Sequence, residues 1–332
     1  MKSRWNKIIT FCLMAVMMLG SLTACGGANA SKGGTGGKGL KIVTTIFPEY
    51  DWVREILGEQ IKEADLTMLL KNGVDLHSFQ PTTEDIMKIS ECDLFIYVGG
   101  ESDEWVEGAL QEAVNKDLKV IDLLEVLGDG IKEEEVVEGM EAEEGEEESV
   151  EEETEYDEHV WLSLKNAQKL CKEIADTLGE IDPDHAKAYE ENEKAYSERL
   201  ASLDKEYGTA VSAAKEKTVL FGDRFPFRYM ADDYGLNYYA AFVGCSAETE
   251  ASFETITFLA NKVDELSLGS ILTIEGTEHK IADTIKENTQ SKNQKILTMD
   301  SLQSTTSEDV ERGVTYLQRM TENLEVLSEA LN

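Results

Sequence analysis

DPDHAKAYEENEKAYSERLASLDKEYGTAVSAA, from Asp182 to Ala214, is the stretch on which the fold turns. Tyr189, Ala195, Tyr196, Leu200, Leu203, Tyr207 and Ala210 recur in it at helical spacing. Asp182-Pro183 supplies a helix start, an N-cap with proline at the first helical position. At 1.5 Å per residue such a helix is on the order of 45 Å long, more than one lobe of ordinary size needs. It reads as a spine set between two halves of the chain.

Both sides of this helix carry the same grammar. Upstream, β-branched or apolar runs at Lys41–Ile46, Leu66–Leu70, Asp93–Val98 and Lys119–Leu123 alternate with helical segments near Glu49–Gly58 and after Thr82. Downstream, Thr218–Phe221, Asn237–Val243, Ser270–Ile274 and Lys295–Met299 do so, with helices near Ser252–Leu266, His279–Asn288 and Ser307–Leu331. Short strands alternating with helices imply parallel sheets. The expected fold is therefore α/β, two lobes, each a mostly parallel β-sheet flanked by helices, joined by one long spine helix. The boundaries are an N-terminal lobe over 40–181, the spine over 182–215 and a C-terminal lobe over 216–332, with no sequence repeat between the halves.

The N-terminus is read apart from the fold. Lys2, Arg4 and Lys7 precede an apolar run from Ile8 to Leu19, and Leu22-Thr23-Ala24-Cys25 looks like the lipobox of bacterial lipoproteins. That likeness implies a signal peptide over 1–24, lipid on Cys25 and an exported domain held to the outer face of the cell membrane. The apolar run is shorter than the roughly 20 residues of a membrane span. Residues 25–39 are a Gly/Ser tether. Cys92, Cys171 and Cys245 then remain, with no C-x-x-C spacing, and read as buried small hydrophobes.

The formal charge of −36 over 332 residues, with Lys and Arg scattered, argues against nucleic acid as a partner. Much of the excess sits in a Glu-rich run within 131–156, which has too little apolar surface to offset the entropy of ordering and is expected to be a disordered loop. The run ends at Asp157-Glu158-His159-Val160-Trp161-Leu162, the start of a packed segment.

Polar residues collect where strands end. His77 follows the second strand, Gly222-Asp223-Arg224 follows Thr218–Phe221, Glu275 follows SILTI, and Asp300 follows KILTM. Ligands of open α/β sheets sit beyond the carboxyl ends of parallel strands. His77 and His159 share a D-x-H pattern, and a metal-bound imidazole usually donates its other N–H to a carboxylate or carbonyl, so Asp75 and Asp157 are the expected partners. The alternatives are chance D-x-H in an acid-rich chain, ion pairs of the strand-end carboxylates with Arg224 or Arg228, or a carboxylate pair for glycoside hydrolysis. His185 reads as surface, and His279 as exposed or as a minor gate residue. Nucleophile elbows, phosphate loops and H-E-x-x-H are absent.

Taken together these segments resemble the zinc- and manganese-binding lipoproteins that feed ABC importers, solute-binding proteins with a rigid spine helix. Asn72-Gly73-Val74-Asp75-Leu76-His77-Ser78-Phe79-Gln80-Pro81 is similar to that family's first-ligand motif, and Asp157-Glu158-His159-Val160-Trp161 to its second. Asp182-Pro183 through Leu203 resembles its spine, and Ile296–Leu302 the strand whose terminal carboxylate, here Asp300, is a ligand. The chain departs at the third ligand: counting back from Tyr234-Gly235-Leu236 puts Arg224 there, and an arginine cannot ligate. Asp223 or Glu275 would complete the site.

The resemblance implies capture of Zn²⁺ between the lobes by His77, His159 and Asp300, delivery to an ABC permease, and action as a monomeric binding protein, not an enzyme. Two imidazoles favour zinc, added carboxylates shift the balance toward Mn²⁺, and that ion is the alternative. Less favoured readings are an extracellular carboxylate or zinc hydrolase and an adhesion protein acting through its acidic arm.

Overall fold

The computed structural model describes residues 39–141, 155–246, 250–276 and 279–332. The expected signal peptide, Cys25, almost all of the tether and the middle of the Glu-rich run lie outside the described residues.

Two four-stranded sheets form, both wholly parallel. The first contains β1 (Lys41–Thr44), β2 (Asp65–Met68), β3 (Leu94–Tyr97) and β4 (Lys119–Asp122) in the order β2-β1-β3-β4. Helices α1 (Phe47–Leu57), α2 (Thr83–Glu91), α3 (Trp105–Gln111) and α4 (Leu123–Leu127) connect and extend it. Next come α5 (Leu164–Ile181) and the spine, α6 (Ala186–Ala213). The second sheet contains β5 (Thr218–Phe225), β6 (Asn237–Val243), β7 (Ser270–Ile274) and β8 (Lys295–Met299) in the order β6-β5-β7-β8. With it go α7 (Arg228–Tyr234), α8 (Phe253–Leu266), α9 (Lys280–Asn288), α10 (Ser307–Glu311) and α11 (Tyr316–Ala330). The α/β expectation is met, and both lobes share one winding that no sequence repeat announced. Strands covered on both faces read as continuous apolar runs, and β7 is buried along its whole length.

The spine is 28 residues long, about 42 Å at the helical rise. It buries Tyr189, Tyr196, Leu200, Leu203, Tyr207 and Val211, a seam of period three to four, whereas Ala195 faces solvent. The helix begins later than Pro183. Asp182 closes a turn instead, its carboxylate accepting from His185 Nδ1 (2.6 Å) and the Tyr189 hydroxyl (2.8 Å), which folds α5 back along the spine. Asn192 Nδ2 donates to the Ile56 carbonyl at the end of α1, and the Tyr207 hydroxyl donates to Met320 O in α11. The spine is thus clamped by α1 on one side and α11 on the other. One apolar core runs from the first sheet through the spine to the second, with a smaller cluster between the second sheet, α8 and α9. A shared core resists hinge opening, because separating the halves would expose it.

Three local expectations change. β5 continues to Phe225, because Arg224 and Phe225 still pair with Phe242 and Val243 across a register shift, and the Phe225 ring stacks on Tyr238 at 3.9 Å. Asp223 and Arg224 therefore lie within the strand, not after it. The last helix is two helices: Gly313 takes φ +89, and Thr306 and Thr315 each cap a new start. The Glu-rich run is ordered at both ends. Glu133 bridges Tyr156, Glu141 N donates to Ala241 O, and Met140 is buried, so residues 131–141 lie across the second lobe. Backbone pairing offsets the entropy that composition alone says is unpaid.

Candidate metal centre

His77 is set by a short 3₁₀ turn, Leu76–Ser78, whose N-cap Asp75 accepts from the His77 backbone N–H at 3.0 Å. His159 precedes a second 3₁₀ turn, Val160–Leu162, and Asp157 accepts from its backbone N–H at 2.8 Å. In both D-x-H segments the aspartate thus fixes the backbone of the histidine two residues on, His77 lying inside its turn and His159 just before its own. Trp161 holds the second turn down: its Nε1 donates to Ser301 O at 2.8 Å, and its carbonyl accepts from the Tyr316 hydroxyl at 2.6 Å. The Trp161 ring lies 5.2 Å from that of His159.

The two imidazoles meet, 82 residues apart in sequence, with Nε2 of His77 3.3 Å from Nε2 of His159. The His159 side chain is fully buried and that of His77 nearly so. Each Nδ1 is engaged elsewhere. Asp157 Oδ1 takes His159 Nδ1 at 3.1 Å, as the D-x-H pattern predicts. His77 Nδ1 instead meets Ser102 Oγ at 2.7 Å, with Glu158 Oε2 3.5 Å away. From these partners we assign the Nδ1–H tautomer to both rings, which turns both Nε2 lone pairs toward one point. Burial and the neighbouring imidazole press the His77 pKa well down, so the ring is neutral and its lone pair available.

Asp75 is not the partner of the His77 ring. It pairs across the lobes with Arg224, whose guanidinium holds the carboxyl below its ordinary value although burial works the other way. Arg224, at the position where the resemblance expects a ligand, is thus a clamp on the His77 turn.

A third donor atom stands with the imidazoles. Cys245 lies in the turn after β6, and its Sγ and a nitrogen of each histidine lie within 4.8 Å of one another. Gly244 makes this approach possible: a Cβ there would meet His159 Cε1 at 3.0 Å and Phe225 O at 3.0 Å. The ordered end of the Glu-rich run helps, since Glu134 accepts from Cys245 N at 3.2 Å. Burial, then the carboxylates of Asp157 and Glu134, push the thiol well above its ordinary value, so without a cation it stays S–H. Cys92 and Cys171 are buried and, like Cys245, free. Sequence reading set Cys245 aside for want of C-x-x-C spacing. The usable signal is its place one glycine beyond the end of the parallel strand β6, the kind of position that Glu275 and Asp300 also occupy.

Those carboxylates lie outside the cluster and have other partners. Glu275 accepts from Ser301 N and from Ser301 Oγ, both at 2.6 Å. Asp300 accepts from Leu302 N at 2.8 Å and faces Arg319 Nε at 3.2 Å, while burial and Glu275 raise its pKa. Asp223 accepts from its neighbour Arg224 N and from Ile274 N, and burial raises its pKa. His185 is half-exposed on its turn, and His279 precedes α9. Ser102 and Glu158 were not foreseen. Glu158 lies against Gly100, where φ is +79 and a Cβ would fall 2.3 Å from Oε1, and it accepts from Ser102 N at 2.9 Å. Chemically, two imidazoles and a thiol gathered within 4.8 Å of one another suit a borderline-soft divalent cation.

A two-lobed α/β body with a rigid spine and a buried donor cluster at the strand ends is the architecture of metal-uptake binding proteins, and the comparisons with known proteins agree. Residues 42–330 match the family model described as zinc-uptake complex component A, periplasmic. The chain belongs to this family. It is 32% identical over 292 residues to the zinc-binding lipoprotein AdcA of Streptococcus pneumoniae, covering 87% of this chain and 55% of AdcA. It therefore spans about half the length of the curated relatives it first matches. It is 30% identical over 341 residues to the high-affinity zinc uptake system protein ZnuA of Bacillus subtilis, covering 100% and 99% of the two chains. The fold matches the crystal structure of the Zn(II)-bound ZnuA-like domain of S. pneumoniae AdcA with TM-score 0.68 at 30% identity, covering 88% of this chain and 99% of that one.

Proposed function

We propose that this chain captures Zn²⁺ outside the cytoplasm and hands it to an ABC permease for import, anchored by lipid on Cys25. One observation carries the reading. Two nitrogens each about 2.05 Å from a tetrahedral zinc stand about 3.3 Å apart, and the two Nε2 atoms stand at 3.3 Å before any ion is bound. Two lone pairs facing at that distance repel, and a cation between them removes the repulsion. The names of the relatives, zinc-binding and zinc-uptake proteins, point the same way. Imidazole donors favour zinc over Mn²⁺.

The role is binding, not catalysis, and the unit is a monomer. In this reading Glu275, Asp300 and Asp223 are reserve donors from the second lobe. Each would have to release Ser301, Arg319 or Ile274 to reach the ion. The shared core limits any accompanying lobe movement.

The test is metal analysis of the chelator-stripped full chain after equilibration with equimolar Zn²⁺ and Mn²⁺, together with thermal unfolding. Zinc should be retained over manganese and should raise the midpoint, since a ligand of the native state stabilises it. His77→Ala and His159→Ala should abolish both effects, and His185→Ala should not. No retained metal and no shift in the wild type would overturn the proposal.

A further inference from the structure

We propose that the Cys245 sulfur is the third protein ligand of the captured ion, giving a His₂Cys site in place of a carboxylate one; this rests on the zinc reading above. Among the described residues, the only group of three or more His, Cys, Asp or Glu donors gathered closely enough to hold an ion is His77, His159 and Cys245.

A cysteine near a histidine would mean little alone. Here the fully buried His159 ring meets a second imidazole, Nε2 to Nε2 at 3.3 Å, and the sulfur lies within 4.8 Å of a nitrogen of each ring. Three elements converge there: the turn after β2, the segment before α5 and the turn after β6. The strand-end carboxylates expected there are held by Ser301, Leu302, Arg319, Arg224 and Ile274.

The position where the resemblance expects a ligand carries Arg224, which cannot bind a cation and is committed to Asp75. Arg224 also reaches the Ser246 carbonyl at 3.4 Å, one residue past the cysteine. The residue that removes one donor therefore touches the loop that supplies another.

On capture the S–H bond breaks, its electron pair goes to the metal and the proton to solvent, so each ion bound releases one proton from the thiol. A thiolate draws the site toward zinc and away from Mn²⁺, because sulfur favours softer cations.

X-ray absorption at the zinc edge on the zinc-loaded full chain tests this directly. One sulfur scatterer at about 2.3 Å is expected beside nitrogen and oxygen at about 2.0–2.1 Å. Cys245→Ser should lose the sulfur shell and bind zinc more weakly by at least the roughly tenfold that loss of an outer partner already costs. Its metal-free unfolding midpoint should stay at the wild-type value, and Cys245→Ala provides the check if it does not. A wild type that binds zinc through nitrogen and oxygen only, or a Cys245→Ser chain of unchanged affinity, overturns the cysteine ligand and leaves the zinc reading standing. A wild type that takes up no zinc overturns both.

Discussion

Asp157→Asn is the sharpest test of how the histidine pair is built. Asp157 Oδ1 accepts from the His159 backbone N–H at 2.8 Å and from Nδ1 at 3.1 Å. Its main chain is anchored separately, by Asp157 N to Lys132 O and by the Tyr229 hydroxyl to Asp157 O. The asparagine keeps an oxygen for the same bonds and leaves the backbone anchors intact, but it removes the charge that makes the imidazole a strong donor. Changes of this kind cost roughly 10–100-fold in metal affinity, or about 1.4–2.7 kcal/mol. At free zinc a hundredfold above the wild-type Kd, binding stabilises the wild type by about 2.7 kcal/mol, a tenfold weaker variant by about 1.4 and a hundredfold weaker one by about 0.4. Zinc-dependent thermal shifts at one free zinc concentration, set with a chelator buffer, read this difference. A variant with the wild-type zinc shift would refute the argument that Asp157 tunes the ring. So would a collapse of the metal-free midpoint large enough to account for the whole loss.

Gly244→Ala should weaken zinc binding and lower stability, since the new Cβ would press on the His159 ring. Gly208→Ala in the spine meets nothing within 4 Å and should raise stability by up to about 1 kcal/mol, measured by urea unfolding. Burial pushes the Asp51 carboxyl up from 3.8 to about 6, against the pull of Arg54 and the Tyr316 N–H. The folded state therefore binds this proton more tightly, and the resulting stability is complete below pH 3.8 and lost as pH rises through about 6. Asp51→Asn should remove that component, so urea-measured stability of wild type minus variant should fall by about 2–3 kcal/mol between about pH 4 and pH 6; a flat difference would count against it. Replacing residues 142–154 with a Gly/Ser segment of equal length should leave the zinc Kd unchanged in chelator competition, whereas an arm-driven site would lose it.

Much of the architecture was legible because its causes are local. A β-branched run such as SILTI is a buried strand wherever it stands, and the spine's tyrosines and leucines mark a helical face whatever they pack against. His77 and His159 were legible for the same reason: a D-x-H turn is made by the aspartate two residues away. What the tertiary structure alone decided are the pairings between distant segments. It gave the His77 ring Ser102 and Glu158 in place of Asp75, because Arg224 from the other lobe takes that carboxylate. It extended β5 through Arg224 because β6 offered further partners, and ordered the ends of an acidic run that composition marks as loop. It also brought the Cys245 thiol to the two imidazoles. Spacing rules cannot see that approach, because it depends on how a glycine at the end of β6 lies against a histidine from the other lobe. Secondary structure answers to neighbours along the chain, whereas a ligand set answers to neighbours in space.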